Sequence, residues 1–208
     1  MDPLNGIFYV IVLIFSVVVH EVAHGYAAEY FGDPTARLAG RLTMNPIKHI
    51  DPVGSVILPI ILALSNAGFM VGWARPVPYN SENFDNKKKG TIVVALAGIS
   101  ANIFLAIIFG LLIRFSPYFG IVSLPFLTIT STIVIVNLVL ALFNIIPIPP
   151  LDGSKVLFEL LPIRFQKIRN ILEIYQFFFL IIFIFFLWQY IAPPVVTHLY
   201  AILTGIAL

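Results

Sequence analysis

Cysteine is absent from this 208-residue sequence, and charged residues are scarce. Without cysteine the chain can form neither a disulfide bond nor a thiolate metal site, so any metal ion must be held by histidine, aspartate or glutamate. Only 11% of the residues are charged, whereas 60% are hydrophobic and the mean hydropathy is +1.00. A soluble domain is far less apolar. The composition predicts a membrane protein, and a formal net charge of only +2 does not indicate nucleic-acid binding.

The chain also lacks a polar linker and an internal repeat, so we expect a single domain over residues 1–208. No basic residue precedes the first apolar stretch, because residues 1–6 carry only Asp2 as a charged residue. The stretch also runs on beyond any small-residue cleavage site. We therefore interpret it as a retained membrane helix and not as a cleaved signal peptide.

Long apolar runs are what the sequence does contain. A helix needs roughly 20 apolar residues to cross about 30 Å of hydrocarbon. Four stretches meet or nearly meet this length and predict an all-α, polytopic membrane protein with four full transmembrane helices: residues 7–31, 91–113, 121–143 and 174–191.

Two further apolar stretches are less suited to crossing a membrane. Residues 53–71 contain Pro59 and Asn66, and residues 195–208 follow directly on two prolines. Such interruptions are tolerated in membrane proteins where the backbone is buried in protein or lines a cavity. We expect the first stretch to be re-entrant and the second to form a short C-terminal membrane segment.

The positions of lysine and arginine predict the topology, because short cytoplasmic loops retain these residues. If residues 53–71 crossed the membrane, the twelve basic residues would divide into four on one side and eight on the other. If that stretch is re-entrant, eleven lie on one side and only Arg114 lies on the other. We therefore predict an external N-terminus and a cytoplasmic location for everything between the first two full spans.

The first apolar stretch contains the motif His20-Glu21-Val22-Ala23-His24. A spacing of four residues places both imidazoles on one helical face, with Glu21 beside them. Imidazole nitrogens are good zinc ligands, and a neighbouring carboxylate can accept the proton of a metal-bound water. The alternative is a solvated helical face, but each such group inside a bilayer costs on the order of 2–3 kcal/mol unless it is paired or bound. The motif therefore predicts a hydrolytic metal site.

A catalytic zinc usually has three protein ligands and one open position, so a third ligand must come from elsewhere in the chain. Asp152 is the candidate, because it follows an apolar span through a stretch with three prolines that cannot sustain a helix. An open backbone at the membrane boundary is tolerated where it lines a buried site. The alternative is a proline-rich turn in which Asp152 caps the next helix.

Two separated motifs together resemble those of the site-2 protease family of intramembrane zinc metalloproteases, peptidase family M50. They are His-Glu-x-x-His in the first span and Asn-x-x-Pro-x-Pro-Pro-Leu-Asp-Gly at residues 144–153. Residues 40–46 and 72–78 are similar to the short, compact prokaryotic members of this family. The resemblance implies an enzyme of the cell membrane that cuts transmembrane segments of other membrane proteins in regulated intramembrane proteolysis. With the topology predicted from the basic residues, we expect its active site toward the cytoplasmic side.

The resemblance also implies specific roles in the site. One zinc ion per chain would be bound by His20, His24 and Asp152, and Glu21 would be the general base. The family pattern Ala-Gly-Pro-x-x-Asn is matched by residues 97–102, except that isoleucine replaces proline at position 99.

Asn102 and Asn144 could supply amide donors to a scissile carbonyl and to the oxyanion that develops from it. The alternative for both is hydrogen bonding between helices, which is the role we assign to Asn137. A substrate helix must also unwind before its peptide bonds are accessible, because its backbone amides are bonded internally. We therefore predict small β elements near residues 38–45 and 71–79, either of which could pair with an extended substrate.

Two other functions share parts of this pattern. A metal-ion transporter also carries histidine and aspartate within the membrane, but it does not need a general base such as Glu21. A catalytically inactive scaffold that binds membrane helices would not need the complete set of four side chains. No feature of the sequence defines the substrate or the oligomeric state, and the expected partners are a transmembrane protein substrate and the lipid bilayer.

Overall fold

The computed structural model describes residues 3–57, 61 and 74–206. Throughout these residues the regular structure is helical, and no β-strand occurs in them. Four helical stretches among them have the length and composition of transmembrane helices: Gly6–Tyr30, Lys87–Phe119, Leu124–Asn144 and Gln176–Thr204. The predicted all-α architecture with four membrane-spanning helices is confirmed.

The α-helices are numbered in chain order: α1 (Pro3–Tyr30), α2 (Thr35–Leu38), α3 (Lys87–Phe115), α4 (Leu124–Asn144), α5 (Asp152–Leu160), α6 (Gln166–Ile174), α7 (Gln176–Ile182) and α8 (Gln189–Thr204). Short 3₁₀ turns occur at Pro46–His49, Ser81–Asn83, Ser116–Phe119 and Ile163–Phe165. Single π-helical turns occur at Pro52–Ile57 and Phe183–Trp188, and the second of these joins α7 to α8.

Local signals in the sequence define the hairpin of α3 and α4. The side chain of Asn86 accepts a hydrogen bond from the backbone N–H of Lys89, which satisfies one of the free donors at the start of α3. After α3 and its 3₁₀ turn, Gly120 adopts a left-handed conformation with φ of +69°, which costs little for glycine because it has no Cβ. Proline in the first turn of α4 then restarts the helix.

Helix α3 lies at the centre of the molecule, in contact with α1, α4, α5 and α8. The C-terminal half of α3, together with α4 and α8, forms an apolar cluster whose buried members are Ala106, Ile113, Val134, Leu138, Val196 and Tyr200. The hydroxyl of Tyr200 also lies 2.7 Å from Oγ of Ser131 in α4. Helix α3 is thus fixed on several sides and can serve as a rigid support for side chains from its neighbours.

The expected helix break at the proline pair is wrong. Gln176–Thr204 forms one continuous helical span with Pro193 and Pro194 inside α8. Proline is tolerated in membrane helices when neighbouring elements and local adjustments satisfy the freed carbonyls. Here Ala192, just before the prolines, and Val196, just after them, are both buried. Packing on both sides of the prolines therefore outweighs the break that the sequence predicts.

The β elements predicted near residues 38–45 and 71–79 are also not found where the structure describes those stretches. The first contains the end of α2, a left-handed Gly40 with φ of +63°, and Asn45, which caps a 3₁₀ turn. The second is irregular over residues 74–79, and residues 71–73 lie outside the described part. Most of the stretch predicted to be re-entrant, residues 53–71, lies outside it as well.

Asp33 anchors the loop that follows α1. Its side chain is fully buried and accepts hydrogen bonds from the backbone N–H groups of Thr35 and Asn80 and from the side chains of Thr35 and Asn83. Burial raises the pKa of Asp33, but these hydrogen bonds outweigh it and hold the pKa below its usual range. This carboxylate therefore ties the end of α1 to residues 80–83, which lead into α3.

Candidate metal centre

Three ligand atoms from two distant parts of the chain converge in the interior. Nε2 of His20 and Nε2 of His24 each lie 3.0 Å from Oδ2 of Asp152, and the two Nε2 atoms lie 3.0 Å from each other. All three residues are buried, with no more than 6% of their surface exposed. The histidines come from one face of α1 and the aspartate is the first residue of α5. The structure thus brings together the three residues that the sequence predicts as ligands.

Each imidazole also makes a hydrogen bond through Nδ1, the ring nitrogen that does not face Asp152. Nδ1 of His24 lies 2.7 Å from the backbone carbonyl of Val94, which can only accept, so Nδ1 donates. Nδ1 of His20 lies 2.6 Å from Oδ1 of Asn102. Both rings therefore carry hydrogen on Nδ1, and the neutral form of each imidazole presents a lone pair at Nε2.

The orientation of the Asn102 amide is fixed by a chain of hydrogen bonds. Asn137 must donate to the carbonyl of Ile133, so its Oδ1 is the acceptor for Nδ2 of Asn102, at 2.8 Å. Nδ2 of Asn102 also donates to the carbonyl of Ser16, at 3.3 Å. Oδ1 of Asn102 is therefore the atom that faces His20, and it accepts.

This donor set suits a divalent cation. Two imidazole nitrogens and one carboxylate oxygen face one another, and when both imidazoles are neutral with hydrogen on Nδ1 all three atoms have lone pairs to offer a metal. Donor atoms about 2.0–2.2 Å from a tetrahedral zinc lie somewhat more than 3 Å apart, which is close to the observed 3.0 Å. The ligand atoms that the three residues offer all lie within 4.8 Å of one another.

Glycine permits the close packing around the two imidazoles. A Cβ atom on Gly98 of α3 would lie 2.6 Å from Cε1 and Nε2 of His20 and 2.7 Å from Cε1 of His24. A Cβ atom on Gly153 would lie 2.2 Å from the carbonyl oxygen of Ile145. Side chains larger than glycine are therefore excluded at position 98 by the two imidazoles and at position 153 by the backbone of Ile145. Helix α3 continues through Ile99, which is buried, so the missing family proline does not disturb the placement of Asn102.

The carboxylate of Asp152 has a second partner, Lys155, one turn along α5. Nζ of Lys155 donates to Oδ1 of Asp152 at 2.9 Å and lies 5.5 Å from the centroid of the Tyr79 ring. Burial lowers the pKa of Lys155, but the negative charge of Asp152 outweighs it and the pKa is raised above its usual value. Lys155 therefore remains a charged donor to Oδ1.

Glu21 contacts an irregular segment that packs against α1. Its Oε2 accepts a hydrogen bond from the backbone N–H of Val77, at 2.8 Å. The Val77 side chain is 4% exposed, and a Cβ atom on Gly25 of α1 would meet it at 2.9 Å. Arg41 holds the same segment through the carbonyl of Arg75, at 2.7 Å. The predicted general base is thus held by the backbone of an irregular segment that packs on α1.

The two predicted oxyanion asparagines differ in what they can donate. Asn102 is fully buried, and both hydrogens of its amide are used by Asn137 and Ser16. It has no free donor for a substrate carbonyl, and its contacts match the alternative of bonding between helices, with the addition that it supports His20. Asn144 is partly exposed, and one hydrogen of its Nδ2 is used by the carbonyl of Leu140 in its own helix, at 3.0 Å.

Sequence reasoning missed several contributors to the site. Lys155 could have been found, because residues three apart in a helix lie on one face and Lys155 is three residues beyond Asp152. Asn137 was assigned to bonding between helices, but its part in orienting Asn102 requires the actual packing of α3 on α4. The backbone groups of Val77 and Val94 carry no sequence signal at all, because every residue except proline offers the same atoms.

Comparisons with known proteins identify relatives of the chain. The model of "Peptidase family M50" matches residues 120–187. The protein named "Putative zinc metalloprotease YwhC" from Bacillus subtilis is 40% identical over 193 residues, covering 90% of this chain and 84% of that protein. "Putative zinc metalloprotease Rip2" from Mycolicibacterium smegmatis is 33% identical over 158 residues, covering 71% of this chain and 56% of that protein. The chain thus spans a little over half the length of this mycobacterial relative. No solved structure matches the chain.

Proposed function

Because the chain belongs to peptidase family M50, the site-2 protease family of zinc-dependent membrane metalloproteases, we propose that it hydrolyses peptide bonds within or next to transmembrane segments of other membrane proteins. We also propose that it acts in regulated intramembrane proteolysis. The observation that carries the proposal is the convergence of the two histidines and Asp152 in the interior. The direct packing of α3 on α1, α4, α5 and α8 supports a single protease domain over residues 1–208.

His20, His24 and Asp152 are the proposed ligands of one zinc ion per chain. Three protein ligands are what a catalytic zinc site offers, and the fourth position is left for water or substrate. The hydrogen bonds to Nδ1 of each histidine fix the ring orientation and leave Nε2 for the metal, which is the support that ligand histidines usually receive. The alternative considered from the sequence, metal-ion transport, receives no support from the relatives, which are named as putative zinc metalloproteases.

The depth of the site within α1 supports cleavage inside the membrane. His20 and His24 precede the end of α1 at Tyr30 by ten and six residues. At 1.5 Å per residue, they lie about 15 Å and about 9 Å from that end. A site at this depth reaches peptide bonds that a soluble protease cannot contact.

Glu21 is the proposed general base. A zinc ion held by His20, His24 and Asp152 would lower the pKa of a coordinated water and polarise the scissile carbonyl. Glu21 takes the proton from the attacking water and later gives it to the leaving amine, so one carboxylate serves as base and then as acid. The N–H of Val77 holds Oε2 of Glu21 and restricts the orientation of the carboxylate.

Asn144 is the remaining candidate for stabilising the oxyanion. One hydrogen of its amide is used by Leu140, and the second has no partner among the described residues, so it could donate to a developing negative charge. Asn102 has no such donor, so we propose that it positions His20 instead. No backbone N–H over residues 75–78 is free for an incoming strand, because those of Arg75 and Val77 are used and positions 76 and 78 are prolines. This segment is therefore a poor platform for strand addition.

We propose that residues 53–71 are re-entrant and that the site lies toward the cytoplasmic side. The backbone N–H of Arg75 donates to the carbonyl of His49 at 2.8 Å, so the residues flanking the stretch lie side by side. A single crossing would separate them by about 30 Å. With both flanks on one side, all the basic residues except Arg114 share that side. A reporter fused after Gly90 should be cytoplasmic, and an external location would contradict the topology.

The proposed activity is tested with purified protein reconstituted in liposomes together with a model transmembrane substrate. Wild type should contain about one zinc per chain and should cleave the substrate. Glu21→Gln should keep the zinc and lose turnover, because glutamine cannot accept the proton. A separate assay of zinc uptake into the same liposomes should show no flux that depends on the site.

A matched control is available on the same helix. Glu29 lies eight residues beyond Glu21, where it pairs with Arg37 at the surface, so Glu29→Gln should keep both zinc and activity. Cleavage by Glu21→Gln at the wild-type rate would refute the assigned base. No cleavage by wild type loaded with zinc would favour the catalytically inactive scaffold considered from the sequence.

A further inference from the structure

The two carboxylate oxygens of Asp152 have different partners. Oδ2 lies 3.0 Å from both histidine Nε2 atoms, whereas Oδ1 accepts a hydrogen bond from Nζ of Lys155 at 2.9 Å. We propose that Lys155 is a positioning residue that reserves Oδ1, so that Asp152 offers the metal a single oxygen. This inference rests on the proposed zinc site, and it concerns how many ligand atoms the protein supplies there.

A carboxylate can bind a metal through one oxygen or through both. If Asp152 used both oxygens, the protein would supply four donor atoms and would crowd the position that water or substrate must take. A charge-assisted hydrogen bond to Oδ1 competes with the second mode, because it occupies that oxygen and keeps the carboxylate plane turned toward the histidines. Lys155 thereby favours three protein donors and an open fourth position.

The ammonium group is itself held in place. Lys155 lies in the first turn of α5, three residues from Asp152, so the two side chains share one helical face. Its Nζ lies 5.5 Å from the centroid of the Tyr79 ring, within the range of a cation–π contact. The ring of Tyr79 stacks on Phe84, which is buried in an apolar cluster with Ala28, Phe31 and Val94. Tyr79 therefore gives Lys155 a fixed support outside the ligand set.

An ordinary salt bridge at the start of α5 is the competing explanation. Exposed ion pairs contribute little to stability, and the side chain of Lys155 is 35% exposed. The side chain of Asp152 is only 7% exposed, however, and both of its oxygens are used. A salt bridge that merely stabilised the helix would not alter the number of atoms that bind the metal, and this difference can be measured.

The experiment compares wild type, Lys155→Met and Lys155→Arg in detergent. Zinc affinity is measured by competition with a chromophoric chelator, and the coordination number is followed by visible absorption after replacing zinc with Co²⁺, whose bands weaken when a fifth ligand is added. Lys155→Met should bind zinc about 10–100-fold more weakly, the usual effect of losing a group that supports a ligand. Its cobalt bands should weaken as Oδ1 joins the metal. Lys155→Arg, which can still donate to Oδ1, should restore most of both properties.

Two further variants complete the test. Lys167→Met, on the exposed surface of α6, removes a lysine away from the site and should change neither zinc affinity nor the cobalt spectrum. Tyr79→Leu removes the support of Lys155 without touching Asp152, and it should shift both readouts in the same direction as Lys155→Met but by less. It keeps the inference testable if Lys155→Met does not fold.

The outcomes separate this inference from the proposed function. Wild type without zinc or cobalt binding would overturn the metal site itself. Wild type that binds both, with Lys155→Met unchanged in zinc affinity and in the cobalt spectrum, would overturn only the role of Lys155. Weaker zinc binding with an unaltered cobalt spectrum would also overturn it, because the number of donor atoms would then not depend on Lys155.

Discussion

Oδ1 of Asn102 accepts a hydrogen bond from Nδ1 of His20 across 2.6 Å, between the second and the first transmembrane helix. The amide itself is held by Asn137 and Ser16, so one polar network joins three helices behind the proposed ligands. In an apolar environment such a network leaves few alternative orientations, because each lost hydrogen bond would strand a buried polar group. The imidazole of His20 is therefore oriented before any metal binds.

Replacing Asn102 tests this orientation. Asn102→Leu removes the acceptor for Nδ1 of His20 and should weaken zinc binding about 10–100-fold. Asn102→Asp keeps an acceptor, although it cannot donate to Asn137 or Ser16, and it should bind zinc more tightly than the leucine variant. Chelator competition on the purified variants gives the affinities.

Thr128→Val is the matched control for the loss of a polar group in a membrane helix. Thr128 bonds to the carbonyl of Leu124 in its own helix and is exposed, so its replacement should leave zinc affinity unchanged. Equal zinc affinities for wild type and Asn102→Leu would contradict the role assigned to Asn102.

Gly98→Ala should disrupt the ligand pair directly. The added methyl group would lie 2.6 Å from the His20 ring, so one or both imidazoles must move. We expect loss of zinc from the purified protein, measured by elemental analysis. Gly110→Ala is the control on the same helix: its methyl group would meet Leu203 at 2.7 Å, far from the imidazoles. It should lower stability by about 1–3 kcal/mol while zinc is retained.

Features that depend only on neighbouring residues, such as membrane spans and helical spacing, could be predicted from the sequence. Hydropathy and length identified the four spans, because crossing a bilayer requires long apolar helices whatever the surrounding fold. The spacing of His20 and His24 placed them on one face, because helical geometry is fixed. The helix break predicted at Pro193-Pro194 does not occur. Ala192 and Val196 are buried on either side of the prolines, and such tertiary packing cannot be deduced from the presence of proline alone.

Apart from the proposed ligand set, contacts between distant parts of the chain could not be predicted from the sequence. The network through Asn102 and Asn137 depends on how α1, α3 and α4 cross, and their sequences show only that amides occur within apolar runs. The absence of β structure near residues 38–45 has a similar origin. That stretch is held by loop contacts, including the bond from Arg41 to the carbonyl of Arg75, and not by pairing with another strand.

Val77→Pro tests the support of Glu21 by a backbone N–H. Proline has a similar size but lacks the donor, so the Glu21 carboxylate loses a charge-assisted hydrogen bond worth about 1.5–3 kcal/mol. We expect kcat to fall about 10–100-fold with zinc content unchanged. Val77→Ala keeps the N–H and should reduce kcat much less. A proline variant as active as the alanine variant would show that this bond does not serve catalysis.

Asp33→Asn should reveal a pH-dependent contribution to stability. The folded pKa of Asp33 is lowered, so its ionised form stabilises the protein above the unfolded pKa of about 3.9 and this contribution is lost as the pH falls through the folded value. At pH 7 the variant should be less stable by about 1–3 kcal/mol, because four hydrogen bonds to a charged acceptor are weakened. Thermal unfolding in detergent should show this difference shrinking below about pH 4. A difference independent of pH would contradict the assignment.

The zinc content of purified wild type and of the variants His20→Ala, His24→Ala and Asp152→Ala is the most direct measurement of the central claim. If the three side chains hold one metal ion, wild type should carry about one zinc per chain and each variant should lose it, while the control Glu29→Gln keeps it. Wild type without zinc, or a variant lacking any one of these side chains that retains wild-type zinc, would contradict the account.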